Sequence, residues 1–311
     1  MGIYDYMGDI VESSSYYNVL AYGATGDGTT DDATAIQTAL DDCNTNGGGV
    51  VYFPAKTYLL KSGVLFYSNQ TLLFENGATL MQGAAINNLL MSYCGSSVTG
   101  YGGTHDCIID GGIFDGGAYT TNNTLVGIVH AKNIIFQNCT FKNAYGTWHD
   151  LEINSSYNVK VINCDFEGSR KTGGNGEMIQ VDAIDNTNTW PWDNRGQVDN
   201  TISKFIDICG NVFHNDTYSP AIGNHSTTTD SFITIHDNVF DGLTSTRGAI
   251  NFGAADNVDI YGNTFSNCTT GVGSDGATYY IRDNRFVGAT TAIGGSASVA
   301  HSNMINGTYT A

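Results

Sequence analysis

Proline, basic side chains and closely spaced cysteine pairs are all scarce in this sequence. Only 3 of the 311 residues are proline, so a proline-rich linker protein is excluded. Lysine and arginine number 12 against 30 aspartates and glutamates, which gives a formal net charge of −18. A field of that sign repels phosphate groups, so neither nucleic acid nor an anionic membrane surface is an expected partner.

The seven cysteines do not form a metal or redox motif. None of them are spaced as the Cys-x-x-Cys pair that zinc ribbons and thiol oxidoreductases use. Several lie in apolar, strand-like runs, where cysteine acts as a small hydrophobe. We therefore expect free, buried thiols. No cofactor is assigned, and calcium remains an option that no dense acidic loop supports.

Long apolar runs are also missing, and none approaches the length needed to cross a membrane. The first 15 residues lack the basic start and the apolar stretch of a signal peptide. We expect that a signal was removed, or that the protein leaves its cell by another route, such as lysis.

What the sequence does contain is glycine, 39 residues of it, and a repeated unit. Seven segments of alternating apolar and polar residues each end in phenylalanine, and these phenylalanines are 21 to 27 residues apart except for one interval of 47. That interval is either two coils or one coil with a long insertion. The repeat contains the following residues: Phe114, Phe141, Phe166, Phe213, Phe240, Phe265 and Phe286. Short strands at a nearly constant period predict an all-β fold, a single-stranded right-handed parallel β-helix. An antiparallel sandwich, the alternative, would lack such a period.

A second column lies two residues before each phenylalanine. It begins with glycine and cysteine and continues as Asn211, Asn238, Asn263 and Asn284. Asparagines at one position of successive coils can form a hydrogen-bonded ladder. We therefore predict that these amides are buried in the turns between strands.

An N-terminal capping helix is predicted just before the first coil. Asp31 and Asp32 precede a short amphipathic stretch from Ala33 to about Leu40, and aspartate is a good helix N-cap. We expect the helix to end at the three glycines from Gly47, and the first strands to be Val50–Phe53 and Tyr58–Leu60. Residues 1–16 are interpreted as a lead or attachment segment, and 17–311 as one β-helix domain.

The segments YNVLAYGATGDGTTDDATAIQTAL and GGGVVYFPAKTYLL, within 17–60, resemble the opening of the pectate-lyase-like β-helix superfamily. That superfamily includes polysaccharide lyases, glycosidases, phage tailspike depolymerases and surface adhesins. GEMIQVDA and IGNHS are similar to segments of β-helix surface and phage proteins. The catalytic strings of the polygalacturonases and of the calcium-dependent pectate lyases are absent. The resemblance thus implies the fold and an extracellular or virion-associated protein, but no particular reaction.

Candidate site residues lie on the strand that precedes each repeat. In DLEINSS, EMIQVDA and PAIGNHS, alternation predicts that Ile153, Val181 and Ile222 point inward and that the acids between them point outward. Coils stack about 4.8 Å apart, which brings acids on neighbouring coils to distances that glycosidase carboxylates use. We predict three catalytic residues, Glu152, Asp182 and His225. Glu177 is expected to point inward, and a merely solvated acidic face is the alternative.

Two insertions are expected to complete a substrate groove. Residues 167–177 bring two basic side chains beside the acids, and residues 186–197 contain two tryptophans and an arginine. Indole faces stack on sugar rings, and cations pair with charged sugars. A tryptophan plug over the helix surface is the alternative. The predicted substrate-binding residues are Asp150, Asn154, Arg170, Lys171, Gln180, Trp190, Trp192 and Arg195.

Two functional hypotheses follow. The first is a phage tail-associated depolymerase, a lyase or a glycoside hydrolase acting on an extracellular polysaccharide. The alternative is a non-catalytic adhesin or receptor-binding module that recognises a cell-surface glycan or host protein. The tryptophan loop disfavours a purely structural spacer. The sequence leaves open whether the protein forms a homotrimer or is part of a virion assembly.

Overall fold

Most described coils of the chain contribute one strand to each of three sheets, which we name A, B and C. The computed structural model describes residues 16–168, 170–173, 175–185, 196–273, 275–294 and 299–309. Within these residues all neighbouring strands are parallel, except for one antiparallel pair at the C-terminal end. Three parallel sheets formed by successive coils are consistent with the right-handed parallel β-helix that the repeat predicts.

Strands are numbered in chain order. Sheet A has eleven described strands: β1 Tyr16–Asn18, β3 Gly49–Phe53, β6 Gln70–Phe74, β9 His105–Asp110, β12 Lys132–Gln137, β15 Tyr157–Ile162, β18 Lys204–Cys209, β21 Asp230–His236, β24 Ala255–Tyr261, β27 Tyr279–Arg282 and β30 Val299–His301.

Sheet B has twelve described strands: β2 Asp27–Asp31, β4 Thr57–Leu60, β7 Thr79–Gln82, β10 Ile113–Asp115, β13 Thr140–Lys142, β16 Asp165–Glu167, β19 Val212–His214, β22 Val239–Asp241, β25 Thr264–Ser266, β28 Arg285–Val287, β31 Met304–Ile305 and β32 Thr308–Tyr309.

Sheet C has nine described strands: β5 Val64–Phe66, β8 Asn88–Ser92, β11 Thr124–Val129, β14 Leu151–Asn154, β17 Ile179–Asp182, β20 Ile222–Asn224, β23 Ile250–Phe252, β26 Thr270–Val272 and β29 Thr291–Ile293. A 3₁₀-helix at Val19–Tyr22 and one α-helix, α1 at Ala33–Thr45, complete the described elements.

The long interval of the repeat is one coil with an insertion. Strand β16 pairs directly with β19, and Phe166 lies beside Phe213 in the register. The extra residues therefore leave and rejoin the same coil around β17 of sheet C. This pairing decides between the two alternatives that the spacing left open.

The repeated phenylalanines form a continuous buried stack, as predicted. From Phe114 to Phe286 the centroids of successive rings are 4.6 to 5.2 Å apart and their planes are nearly parallel. This separation matches the distance between neighbouring strands, about 4.8 Å. All seven rings are fully buried. Stacking of one residue type through successive coils therefore forms one wall of the core.

The asparagine ladder is also confirmed, and it is longer than predicted. The amide of Asn211 donates to the side-chain oxygen of Asn238 at 2.9 Å, and this pattern continues through Asn263 and Asn284 to Asn303. Each side-chain oxygen also accepts the backbone N–H of the asparagine one coil earlier. Buried backbone and side-chain groups thus satisfy one another in this turn.

The helix begins where predicted but is longer and is preceded by strands. It runs to Thr45, and β1 already pairs with β3, so Val50–Phe53 is not the first strand. Asp32 occupies the N-cap position, but its carboxylate accepts the N–H groups of Thr25 and Gly26 instead of capping the helix. A capping role for the helix at the end of the solenoid stays a prediction.

The seven cysteines, all within the described residues, form no disulfide, as expected, and six of them are buried. Cys209 is the exception, because it lies half-buried on the outer face of sheet A. No helix among the described residues is long and apolar enough to span a membrane.

One outer column of sheet A has left-handed backbone. Asn133, Asn158, Phe205, Phe232 and Asn257 follow one another in the register and have φ values of 52° to 57°. Asparagine adopts this region readily, whereas a bulky residue does so at a cost. The two phenylalanine rings are about half exposed and stack on each other at 5.1 Å.

Candidate active site

The predicted acidic column assembles on sheet C, but it does not face open solvent. Ile153 lies beside Val181, and both point into the core as predicted. The intervening polar positions are on the outer side of the sheet, where further residues cover them. Asp150, Asn154, Gln180 and Asp182 are all fully or almost fully buried. They point outward as predicted but are buried all the same, because alternation gives the side of a strand and not what lies over it.

Glu152 is enclosed among neutral hydrogen-bond donors. Its carboxyl accepts from the hydroxyl of Thr124 at 3.1 Å and from the amide of Asn154 at 3.2 Å, and only 5% of the residue is exposed. Burial raises the pKa of Glu152 to about 8, against the opposing effect of these two hydrogen bonds. The negative charge of Asp182 raises it further. At neutral pH Glu152 therefore holds a proton that it can donate.

Asp182 lies on the next coil in a more polar setting. Its Oδ1 accepts the backbone N–H groups of His225 at 2.7 Å and Ser226 at 2.9 Å, and the amide of Gln180 donates to Oδ2. Burial raises the pKa of Asp182 to about 6, less than that of Glu152 because these donors and the charge of His225 stabilise its ionised form. The two predicted catalytic acids thus differ in protonation near neutral pH.

Glu177 pairs with His225, a contact that strand alternation did not predict. Strand β17 begins only at Ile179, so alternation does not extend back to Glu177, and Met178 points into the core instead. The Oε2 atom of Glu177 lies 2.7 Å from Nε2 of His225, and the carboxyl is fully buried. The glycines just before Glu177 were the available sign that the strand had not yet begun.

His225 is the most accessible of the three predicted catalytic residues, since a quarter of its side chain is exposed. Burial alone would lower its pKa, but the hydrogen bond and the charge of Glu177 outweigh burial and raise it. Its other ring nitrogen, Nδ1, lies 3.1 Å from the amide nitrogen of Gln180. Both nitrogens therefore have partners, and His225 is held in one orientation beside Asp182.

Lys171 and Asp150 form a buried ion pair. The lysine Nζ lies 3.3 Å from Oδ1 of Asp150, neither side chain has exposed surface, and Nζ also donates to the carbonyl of Trp148. Burial raises the pKa of Asp150 to about 7, although Lys171 opposes this effect. The expectation that Lys171 edges an open groove is wrong, because its charge neutralises an aspartate beneath the surface.

Arg170 supports the neighbouring loop. Its guanidinium donates to the backbone carbonyls of Gly117 and Tyr119 and lies 5.2 Å from the ring centre of Tyr145. The guanidinium of Arg170 is therefore already hydrogen-bonded within the protein. The sequence predicted instead that Arg170 contacts the substrate. The predicted groove residues Trp190, Trp192 and Arg195 lie outside the described residues.

Two further residues were not predicted for this site. Arg247 is partly exposed, and its Nη1 lies 3.6 Å from Oε1 of Glu177. His149 is buried, and its Nδ1 lies 3.7 Å from Oε2 of the same carboxyl. Burial, followed by the charges of His225 and Lys171, lowers the pKa of His149. Both residues reach the site from turns that sequence spacing does not align.

A metal ion at this site would meet opposing charge. Ligand atoms of His149, Glu177 and His225 lie within 4.8 Å of one another, as metal ligands require. However, Arg247 already neutralises the only carboxylate of the trio, and Lys171 is close enough to lower the pKa of His149. The arrangement suits proton transfer between side chains better than it suits a divalent cation.

Sequence comparisons relate the chain to enzymes and to an adhesin. The chain is 35% identical over 191 residues to plasmin and fibronectin-binding protein A of Streptococcus pneumoniae, which covers 54% of this chain and 26% of that protein. It is 51% identical over 47 residues to a mannuronan C5-epimerase of Azotobacter vinelandii, or 15% of this chain and 3% of the epimerase. The chain thus spans about a quarter or less of the length of these relatives.

Solved structures show the same fold. A pneumococcal surface adhesin superposes with a TM-score of 0.75 at 23% identity, covering 94% of this chain and 78% of the adhesin. An exopolygalacturonase of Thermotoga maritima superposes with a TM-score of 0.66 at 15% identity, covering 93% and 78%. The family model described as rhamnogalacturonase A/epimerase, pectate lyase-like, matches residues 16–294. Because this match includes nearly every described coil, the chain belongs to the pectate-lyase-like rhamnogalacturonase A/epimerase family.

Proposed function

We propose that the protein binds a polysaccharide over the outer face of sheet C and hydrolyses it with Glu152 as general acid and Asp182 as general base. The observation that carries this proposal is the pair of buried carboxyls on neighbouring coils, with the pKa of Glu152 raised to about 8 and that of Asp182 to about 6. Two carboxyls whose environments separate their pKa values can act as acid and base in one reaction.

His225 acts in this proposal as a positioning residue. Its Nε2 faces Glu177 and its Nδ1 faces the amide of Gln180, so both ring nitrogens point to protein groups. When His225 is protonated, its positive charge favours the ionised form of Asp182. The exposed part of its ring is the first surface of the cluster that a sugar would meet.

Hydrolysis is better supported than elimination. An eliminating enzyme needs a base beside the substrate, and the two local cations that sequence analysis offered are Arg170 and Lys171. Lys171 is buried against Asp150, and Arg170 donates to backbone carbonyls. Among the described residues, the cluster therefore offers a proton donor and a carboxylate base, while Arg170 and Lys171 are both held by other groups of the protein.

The rate of turnover should depend on pH, because it requires one protonation state of Asp182 and the opposite state of Glu152. Asp182 must be ionised, which requires a pH above about 6, and Glu152 must be protonated, which requires a pH below about 8. We expect kcat/KM to be highest between these limits and to fall on both sides. A rate that rises steadily through pH 9 would contradict Glu152 as the acid.

The decisive experiment incubates the protein with a panel of capsular and cell-wall polysaccharides. New reducing ends without ultraviolet absorbance from unsaturated sugars are the expected result, whereas such absorbance would indicate elimination. Asp182→Asn should lower the rate at least about 100-fold with little loss of binding. Glu75→Gln, in the exposed turn after β6 of sheet A, is the control and should leave the rate unchanged.

A non-catalytic binding protein is the second candidate, and burial of the cluster favours it. Asp182 has no exposed surface and Glu152 almost none, so a sugar reaches them only if the covering residues move. Binding needs no such movement, and the pneumococcal relative is named for binding plasmin and fibronectin. Retention of the protein by a glycan without any new reducing ends would favour this candidate.

The cellular setting belongs to the same proposal. A surface or extracellular location is supported by the likeness to a surface adhesin and by a polysaccharide ligand. Attachment of residues 1–16 to a phage tail, and assembly as a homotrimer, remain predictions. Co-purification of the full chain with phage particles would test the first, and its mass in solution would test the second.

A further inference from the structure

Three metal-ligating side chains of different chemistry meet on the outer face of sheet A, away from the sheet C cluster. Asp207 and Cys209 lie two residues apart on β18, and both point outward because Ile206 and Ile208 fill the core. His236 on β21 lies directly beside Cys209 in the register. Their carboxylate, thiol and imidazole ligand atoms all lie within 4.8 Å of one another.

The spacing approaches that of a tetrahedral zinc site. Zinc binds nitrogen and oxygen at about 2.0–2.1 Å and sulfur at about 2.3 Å, so tetrahedral ligands are about 3.3 Å apart, or about 3.6 Å where one is sulfur. Oδ1 of Asp207 and Nε2 of His236 are already 3.1 Å apart. The Sγ atom of Cys209 lies within 4.8 Å of both, so a shift of about an ångström would bring it to the tetrahedral separation.

The histidine is oriented for coordination. Its Nδ1 lies 2.8 Å from Oδ2 of Asp237, a contact that orients the ring so that Nε2 points to Asp207, the second proposed ligand. The ring of Tyr261 stacks on His236 at 4.8 Å with the planes nearly parallel, so the imidazole cannot turn away easily. A carboxylate behind a metal-binding imidazole is the usual supporting arrangement.

The surroundings admit a cation and favour its charge. The side chains of Asp207 and His236 are 33% and 21% exposed, and both line a groove of about 510 Å³ that also includes Asp259. Asp237 adds a further negative charge and Arg282 pairs with Asp259 at 2.8 Å, whereas Lys160, beside Asp207 in the register, adds a positive charge. By contrast, the trio on sheet C has Arg247 against its only carboxylate.

We propose that Asp207, Cys209 and His236 bind one divalent ion of the zinc class, with the fourth coordination position open to the groove. The set of nitrogen, oxygen and sulfur ligands suits zinc or cobalt and not calcium or magnesium, which prefer oxygen. A metal ion bound to residues of both β18 and β21 would link two neighbouring coils of the solenoid. The site also explains why Cys209 is the one cysteine that is not buried. It is independent of the function proposed for sheet C.

Cobalt titration tests this site, because Co²⁺ bound to thiolate absorbs in the near ultraviolet, whereas the histidine and glutamate trio on sheet C contains no sulfur. The full chain, reduced and freed of metal with a chelator, should bind one equivalent of Co²⁺ with this band, and Zn²⁺ should displace it. Cys209→Ser should abolish the band, and His236→Gln should weaken Co²⁺ binding at least tenfold.

The matched control is His214→Gln on sheet B. His214 also pairs with an aspartate of the neighbouring coil, Asp165, at 3.0 Å, but no cysteine completes that pair. The control should leave both the band and the affinity unchanged. Folded wild-type protein that shows no thiolate band, or a band that survives in Cys209→Ser, would overturn the proposal. Circular dichroism of each variant excludes misfolding as the cause.

Discussion

Replacing Glu152 by glutamine should stabilise the protein at alkaline pH while it removes the proposed acid. The carboxyl is buried between Thr124 and Asn154, and glutamine has nearly the same shape. Its amide oxygen can accept from Asn154, and its NH₂ group can donate to the Thr124 hydroxyl, which also accepts. Both hydrogen bonds are therefore kept, and only the ionisable proton is lost.

The magnitude follows from the raised pKa of Glu152. Between its ordinary value of 4.5 and the folded value of about 8, the folded protein keeps the proton while the unfolded chain releases it. The unfolded state then binds fewer protons, so the free energy of unfolding of the wild type falls as pH rises through this window. One pKa unit corresponds to about 1.4 kcal/mol, so the loss at pH 8 is on the order of 3–5 kcal/mol.

Urea unfolding of both proteins at pH 5, 6, 7 and 8 measures this difference. The two should have similar stability near pH 5, and the variant should become progressively more stable above it. The buried aspartates titrate in both proteins, so their contributions largely cancel. Glu75→Gln, in the exposed turn after β6 of sheet A, removes a carboxylate outside the cluster and serves as the control. Parallel pH curves, or a variant less stable at pH 8, would refute the assigned burial of Glu152.

Three other predictions concern the solenoid. Phe240→Ala should lower the free energy of unfolding by about 3–5 kcal/mol, because it leaves a cavity within the continuous ring stack; equilibrium unfolding measures this, and no change would contradict the stack. Asn238→Ala should lower the free energy of unfolding by about 1–3 kcal/mol, because the backbone N–H of Asn211 loses its side-chain acceptor at 2.9 Å. Amide hydrogen exchange at Asn211 should then be faster, and unchanged protection would argue against the ladder. Phe232 has a φ of 55°, so Phe232→Asn should be more stable than Phe232→Ala by about 1 kcal/mol, although both variants lose the ring. Thermal unfolding compares the two variants. Equal stability would contradict a left-handed backbone at this residue.

Features that repeat in every coil were predictable from the sequence. The phenylalanine column and the asparagine ladder recur at one position of each coil, and stacking of parallel strands then places like residues side by side. Inward positions such as Ile153 and Val181 followed from alternation for the same reason. The hydrogen bonds of the Asp32 carboxylate were less predictable, because several backbone N–H groups could donate to it. In the folded chain it accepts from Thr25 and Gly26 and not from the helix N-terminus.

Features that depend on what covers a coil were decided by tertiary structure alone. The sequence by itself placed Glu152, Asp182 and His225 on the same side of neighbouring strands. It did not reveal that Lys171 is buried against Asp150, or that Glu177 turns outward to His225. These contacts come from insertions and turns, which have no common period. The pKa of a carboxyl depends on burial and on charges a few ångströms away, and those distances exist only once the loops have closed over the sheet.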